Sequence, residues 1–143
     1  MRWKFVISVV VMFVMLFLLG WGVHGTWLAS DYAKVPSLTR PMPEVWNRFP
    51  LMLLAQLLTA VGFTWIYLKG KEAKPWLAQG IRYGVAVAVL ATIPVNLVHY
   101  VVMPFPPELV LKQASFDVAT IILMGIVLAW INRQPLAGQN NGR

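Results

Sequence analysis

Four long apolar stretches, separated by short polar connections, constrain this chain more than anything else in it. They run from about Phe5 to Val23, Phe49 to Leu68, Ile81 to Val102 and Leu109 to Ile131. Roughly 20 helical residues cross the roughly 30 Å hydrocarbon core of a bilayer, so each stretch is long enough to span it. A chain of 143 residues with four such runs keeps little back for a water-soluble domain. Only 12% of its residues are charged, and 59% are hydrophobic, where a soluble domain carries about 25% charged residues. The expected fold is all-α: an integral membrane bundle of four antiparallel transmembrane helices occupying residues 1–133. Residues 25–48 form a cap, and the polar 134–143 tail, rich in Gly and Asn, is expected to be disordered.

The net charge of +7 raises the question of nucleic acid, and the placement of the charge answers it. Basic residues do not form a stripe on a soluble face; they collect at span ends. Arg2, Lys4, Lys69, Lys71, Lys74, Arg82, Arg133 and Arg143 fall on one side of the expected bundle. Lys34, Arg40, Arg48 and Lys112 fall on the other, diluted by Asp31, Glu44 and Glu108. Eight against four is the positive-inside pattern, and it puts both termini in the cytoplasm. The first stretch exceeds the usual h-region of a signal peptide and has no A-x-A site after it, so it reads as an uncleaved span. No cysteine is present, which excludes disulfides and thiolate metal sites.

Along the chain, aromatic residues sit at the expected interfaces: Trp21 and Trp27 after span 1, Trp65 and Tyr67 closing span 2, Trp130 closing span 4. Pro50 opens span 2, as proline is tolerated in a first helical turn. The short connection Gly70–Trp76 makes spans 2 and 3 antiparallel neighbours. Pro94 removes a backbone donor and should distort the outer half of span 3. A short helix is expected near Leu28–Lys34. Gly80-x-x-x-Gly84 has the small-xxx-small spacing that lets helices approach closely, with bundle packing its default use. The two halves look faintly repeated, each with a histidine near an outer span end (His24, His99) and a glycine at similar depth (Gly62, Gly125).

Polar groups in hydrocarbon are costly unless paired, so their positions are the best pointer to a site. Asp117 lies roughly 12 Å below the cap edge at 1.5 Å per residue, with Gln113 one turn above it and Thr120 close to one turn below. Thr92, Asn96, His99 and Tyr100 follow i, i+4, i+7, i+8 spacing and make one polar stripe on span 3. Gln56 and Thr59 lie at similar depth on span 2. These groups share one leaflet, and the other reads as almost purely apolar. A polar pocket in the outer half is therefore expected, lined by Asp117, His99, Asn96, Gln113, Gln56 and Tyr100. The bland alternative is that Asn, Gln, His and Thr merely bond helices together, at about 0.6 kcal/mol on average. A buried carboxylate should pair with a cation or stay protonated, and His99, His24 and Lys112 are its candidate partners. His24 and His99 at matched depth could also ligate a haem or a metal ion, although no haem-attachment or E-x-x-H pattern accompanies them. Hydrolase, zincin, P-loop and dinucleotide motifs are absent, so no enzyme and no cofactor are expected.

Several segments carry a resemblance: His24-Gly25-Thr26-Trp27-Leu28 to Tyr32, Leu38-Thr39-Arg40-Pro41, Phe49-Pro50-Leu51-Met52-Leu53, Phe63-Thr64-Trp65-Ile66-Tyr67, Gln79-Gly80-Ile81-Arg82-Tyr83-Gly84, and Val110-Leu111-Lys112-Gln113 with Phe116-Asp117. They resemble a family of small four-span bacterial inner-membrane proteins to which no activity is attached. The likeness implies topology, a periplasmic cap and a cytoplasmic-membrane location, and gives no residue a role. Small multidrug-type transporters resemble the chain less, because they carry an embedded glutamate in their first span. Three functions follow as expectations. The first is a non-enzymatic accessory subunit of a membrane complex, or a homo-oligomer or bundle binding lipid or a small molecule. The second is a small proton-coupled transporter using Asp117 and His99. The third is a haem or metal protein using His24 and His99. The lipid bilayer is the expected partner, and nucleic acid is not.

Overall fold

The computed structural model describes residues 2–72 and 74–133; the 134–143 tail lies outside the described residues. The fold is 86% helical with no strand among the described residues, and four helices are long and apolar enough to cross a membrane. Helix α1 (Arg2–Gly20) continues as a π-helical stretch, Trp21–Trp27. The connection that follows folds into a short helix, α2 (Ala29–Tyr32), and a 3-10 turn, Pro36–Leu38. Helix α3 (Met42–Lys69) runs back. Helix α4 (Trp76–Val87), a π-helical turn (Ala88–Thr92) and α5 (Ile93–Val102) form one long, interrupted span. Helix α6 (Pro107–Ile131) completes the bundle. One end of the bundle holds the 28–41 and 103–106 connections, the loop end. The other holds Arg2, the 70–75 connection and Arg133, the termini end.

Helix starts differ from the sequence expectation, and the reason is local. Helix α3 begins at Met42, not near Phe49. Extended Pro41 leads into a first turn that holds a proline and Glu44, both favourable at a helix N-terminus. Glu44 then pairs with Arg40 at 3.2 Å and Arg48 at 3.9 Å, one turn to either side. Pro50 therefore sits inside the helix instead of opening it, and the carbonyl four residues earlier loses its donor. Pro94 does distort its span. The π-helical turn lies just before it, where a wider turn accommodates a residue with no N–H and a ring aimed at the preceding turn.

Glycine sets the tightest packing. A Cβ on Gly80 would lie 2.7 Å from the Gly125 carbonyl oxygen, one on Gly84 2.6 Å from Ile122 Cα, and one on Gly125 2.5 Å from the Gly80 carbonyl oxygen. The Gly80-x-x-x-Gly84 pair thus serves the bundle, and brings α4 against α6 almost backbone to backbone. Helix α6 also packs on α1, and α1 on α3, around a core of Met12, Ala60, Phe63, Tyr67, Met124, Leu128 and Ala129. Most large apolar side chains outside this core point outward, among them Leu58, Leu90 and Val101, as expected where the solvent is lipid.

Helices α3 and α4 meet in a different way. They touch through aromatic rings, Phe63 on Tyr83 with centroids 4.7 Å apart and Tyr67 on Tyr83 at 5.3 Å. The Tyr83 hydroxyl donates to the Phe63 carbonyl at 2.5 Å, and Tyr67 donates to Gln79 Oε1 at 2.9 Å. Because α4 is drawn to α6 and α3 to α1, a groove of about 530 Å³ stays open between them.

The expected apolar half has a polar edge. At the termini end, the buried Asn132 amide donates to Ser8 Oγ at 2.9 Å, and Lys71 donates to the Asn132 carbonyl. These contacts fasten the start of α1, the 70–75 connection and the end of α6 together. Each half packs as a helical pair, α1 on α3 and α4 on α6, but the two matched glycines differ. Gly62 meets nothing within 4 Å where Gly125 is clasped.

Candidate functional site

The polar residues of the loop end converge on Asp117, ten residues into α6 and so about 15 Å along it. His24 Nε2 lies 3.4 Å from Asp117 Oδ1, within ion-pair reach but longer than a strong N–H···O bond. The Asn96 amide donates to Asp117 Oδ2 at 3.2 Å and to the Thr92 carbonyl at 3.0 Å. His24 Nδ1 is 2.8 Å from the Tyr32 hydroxyl, and the Gln113 amide donates to that hydroxyl at 2.5 Å. With Gln113 donating to its oxygen, Tyr32 has its own proton free to donate to Nδ1. Where Tyr32 donates to Nδ1, the ring hydrogen sits on Nε2, facing the carboxylate. The result is a chain of polar groups, Gln113–Tyr32–His24–Asp117–Asn96. Asp117 and His24 keep 34% and 39% of their side-chain surface exposed, so the chain is reachable from outside.

Each element contributes for a reason visible in its backbone. The π-helical stretch at Trp21–Trp27 carries His24, and π turns inside helices often re-aim a functional side chain. Within it, Thr26 donates to the Gly22 carbonyl. Helix α2 brings Tyr32 over the first turns of α6, and a second tether holds it there. Asp31 accepts from Lys112 at 2.8 Å and from Lys34 at 2.9 Å. These lysines, Lys112 first, hold the Asp31 carboxyl below its ordinary range. Burial raises the Tyr32 phenol above its ordinary pKa, Asp117 adds to that, and the Gln113 hydrogen bond opposes it. Phe116, the residue before Asp117, meets Trp27 ring against ring, tilted by 50° with centroids 4.7 Å apart.

Four of the expected residues meet here: Asp117, Asn96, Gln113 and His24. His99 does not. It is exposed, and Asn96, three residues earlier on α5, occupies the position beside Asp117. His24 is engaged by Tyr32 and Asp117. No group of three or more His, Asp or Glu that could hold a metal ion occurs among the described residues. Tyr100 is exposed. Gln56 stays apart on α3, where its Oε1 is buried with no hydrogen-bond partner. Lys112 goes to Asp31 rather than to Asp117. Tyr32, the hub of the cluster, was not singled out from sequence. It lies in a connection, where periodicity carries no signal.

The expected outer-half pocket is thus a bonded cluster under a short lid, and the open groove lies at the other end of the molecule. Compared with protein-family models, with curated proteins and with solved structures, the chain matches none.

Proposed function

We propose that this multi-pass membrane protein is non-enzymatic and works by binding at the loop-end cluster. It would reside in a bacterial cytoplasmic membrane with both termini cytoplasmic and the 28–41 connection periplasmic; the distribution of basic residues, eight against four, supports this orientation. The observation that carries the binding reading is the half-open Asp117 carboxylate, held by His24 and Asn96, with the tilted Trp27–Phe116 ring pair at its sequence neighbour on α6. An acceptor next to aromatic faces fits the ammonium or other donor-bearing head of a small amphipathic ligand. Native mass spectrometry of protein extracted gently from its own membrane tests it. An occupant at fixed stoichiometry, lost in Asp117→Asn, supports the ligand reading. A stoichiometric protein partner lost in the same variant would make the cluster a subunit interface. A bare chain would overturn both.

The His24–Asp117 contact favours a second reading, proton-coupled transport, with His24 taking the part expected of His99. An imidazole that takes up a second proton on Nδ1 can pass the Nε2 proton to a carboxylate within ion-pair reach. Proteoliposomes holding a pH-sensitive dye decide it. Proton flux driven by a candidate substrate, and abolished by Asp117→Asn in a folded protein, would carry this reading. No flux would remove it.

A further inference from the structure

The groove between α3 and α4 has a chemistry of its own, at the opposite end from the cluster. Its walls are apolar, with Ile66 on α3, Ile81 on α4 and, one turn beyond Arg82 toward the middle of the bundle, Val85 and Ala86. Its floor is formed by the rings of Tyr67 and Tyr83, whose hydroxyls are already engaged by Gln79 and the Phe63 carbonyl. Its mouth is polar, at Gly70, Glu72 and Arg82. The amphipathic gradient therefore runs along the bundle axis, as it does in a lipid.

The mouth is also short of negative charge. Its charged lining residues are Arg82 and Glu72, and Lys4, Lys69, Lys71, Lys74 and Arg133 fall at the same end of the bundle. Glu72 is taken by Lys74. Arg82 makes no hydrogen bond or ion pair among the described residues, and its side chain is exposed at the lip. A planar guanidinium matches a phosphate bidentately, and basic pockets between membrane helices on the cytoplasmic side bind anionic head groups.

We propose that this groove is a binding site for one anionic phospholipid, its phosphate on Arg82 and an acyl chain along Ile66, Val85 and Ala86. The volume, about 530 Å³, lies within the range of ligand pockets. The lipid would fill the space that the α4–α6 glycine contact opens, and so would brace α4 against α3. The site is independent of Asp117 and its cluster.

The test uses the full chain in detergent, exchanged against phosphatidylglycerol or phosphatidylcholine with identical acyl chains and read by native mass spectrometry. The wild type should retain one phosphatidylglycerol about tenfold more strongly than phosphatidylcholine. Arg82→Gln should shrink that preference to within about twofold, and Ala86→Trp should abolish retention of both while the helix content stays unchanged. Equal retention of the two lipids by the wild type would mark ordinary annular lipid and overturn the proposal. So would an undiminished preference in Arg82→Gln, or a dimer that protects the groove and excludes lipid. The Lys69→Gln variant, outside the lining, guards against a misfolded Arg82→Gln. It should keep most of the preference, and an equal loss there would reduce the site to general surface charge and overturn it as well.

Discussion

At the scale of single residues, the loop end is organised by which histidine reaches the carboxylate. His24→Ala removes one of the two groups that hold Asp117 and leaves the Tyr32 hydroxyl without its acceptor. Because the pair is more than a third exposed, the expected loss is about 1 kcal/mol, the lower part of the range for losing a hydrogen-bonded partner. His99→Ala, on an exposed side chain, should change stability by less than about 0.5 kcal/mol. Thermal unfolding in one detergent compares the two directly, and an equal effect would contradict the assignment. Tyr32 adds a pH dependence whose sign is fixed. Its folded pKa is raised, chiefly by burial, so the folded state holds the phenolic proton more tightly than the unfolded chain. The stabilisation is complete below about pH 10, the ordinary tyrosine value, and is lost as pH rises through the folded pKa. Tyr32→Phe should flatten the part of the alkaline fall in stability that Tyr32 causes. Asp117, Asn96 and Gln113 could be singled out from sequence because they occupy one depth on regular helices. Tyr32 could not, since a residue in a connection has no period to betray its direction.

At the scale of elements, two contacts of opposite kind position the helices. Three glycines weld α4 to α6, so a side chain there has nowhere to go. Gly125→Ala would put a methyl 2.5 Å from the Gly80 carbonyl oxygen, and forced overpacking of this sort costs roughly 1–3 kcal/mol. Gly62→Ala, with open space around it, should be neutral or stabilising by up to about 1 kcal/mol through helix propensity. Unfolding of the two variants side by side checks the contrast. The Gly80-x-x-x-Gly84 spacing was readable. Its target, Gly125, was not, because spacing names a close-packing face and not the helix that meets it. The same limit explains α3 and α4. A short connection makes them neighbours, and the glycine weld holds α4 to α6, leaving rings across a groove between α3 and α4.

At the scale of the whole molecule, the absence of cysteine makes topology simple to measure. Single cysteines at Ser37→Cys and Lys74→Cys stand at opposite ends of the bundle. A membrane-impermeant maleimide applied to intact cells should label the first, and the second only after permeabilisation. The reverse pattern would invert the proposed orientation. The sequence by itself determined the solvent, the number of spans, their approximate positions and the all-helical class, because lipid leaves a chain this apolar no other way to satisfy its backbone. It also placed the polar groups in depth, which follows from a fixed rise per residue. Only the tertiary structure decided rotation and partnership. Asp117 takes His24 and not His99, Lys112 takes Asp31, and the termini end closes through Ser8, Lys71 and Asn132. Those choices depend on how each helix turns about its axis. That angle is set by contacts between segments distant in sequence, by the glycine weld and by the π-helical turns, none of which the hydropathy of a single span encodes.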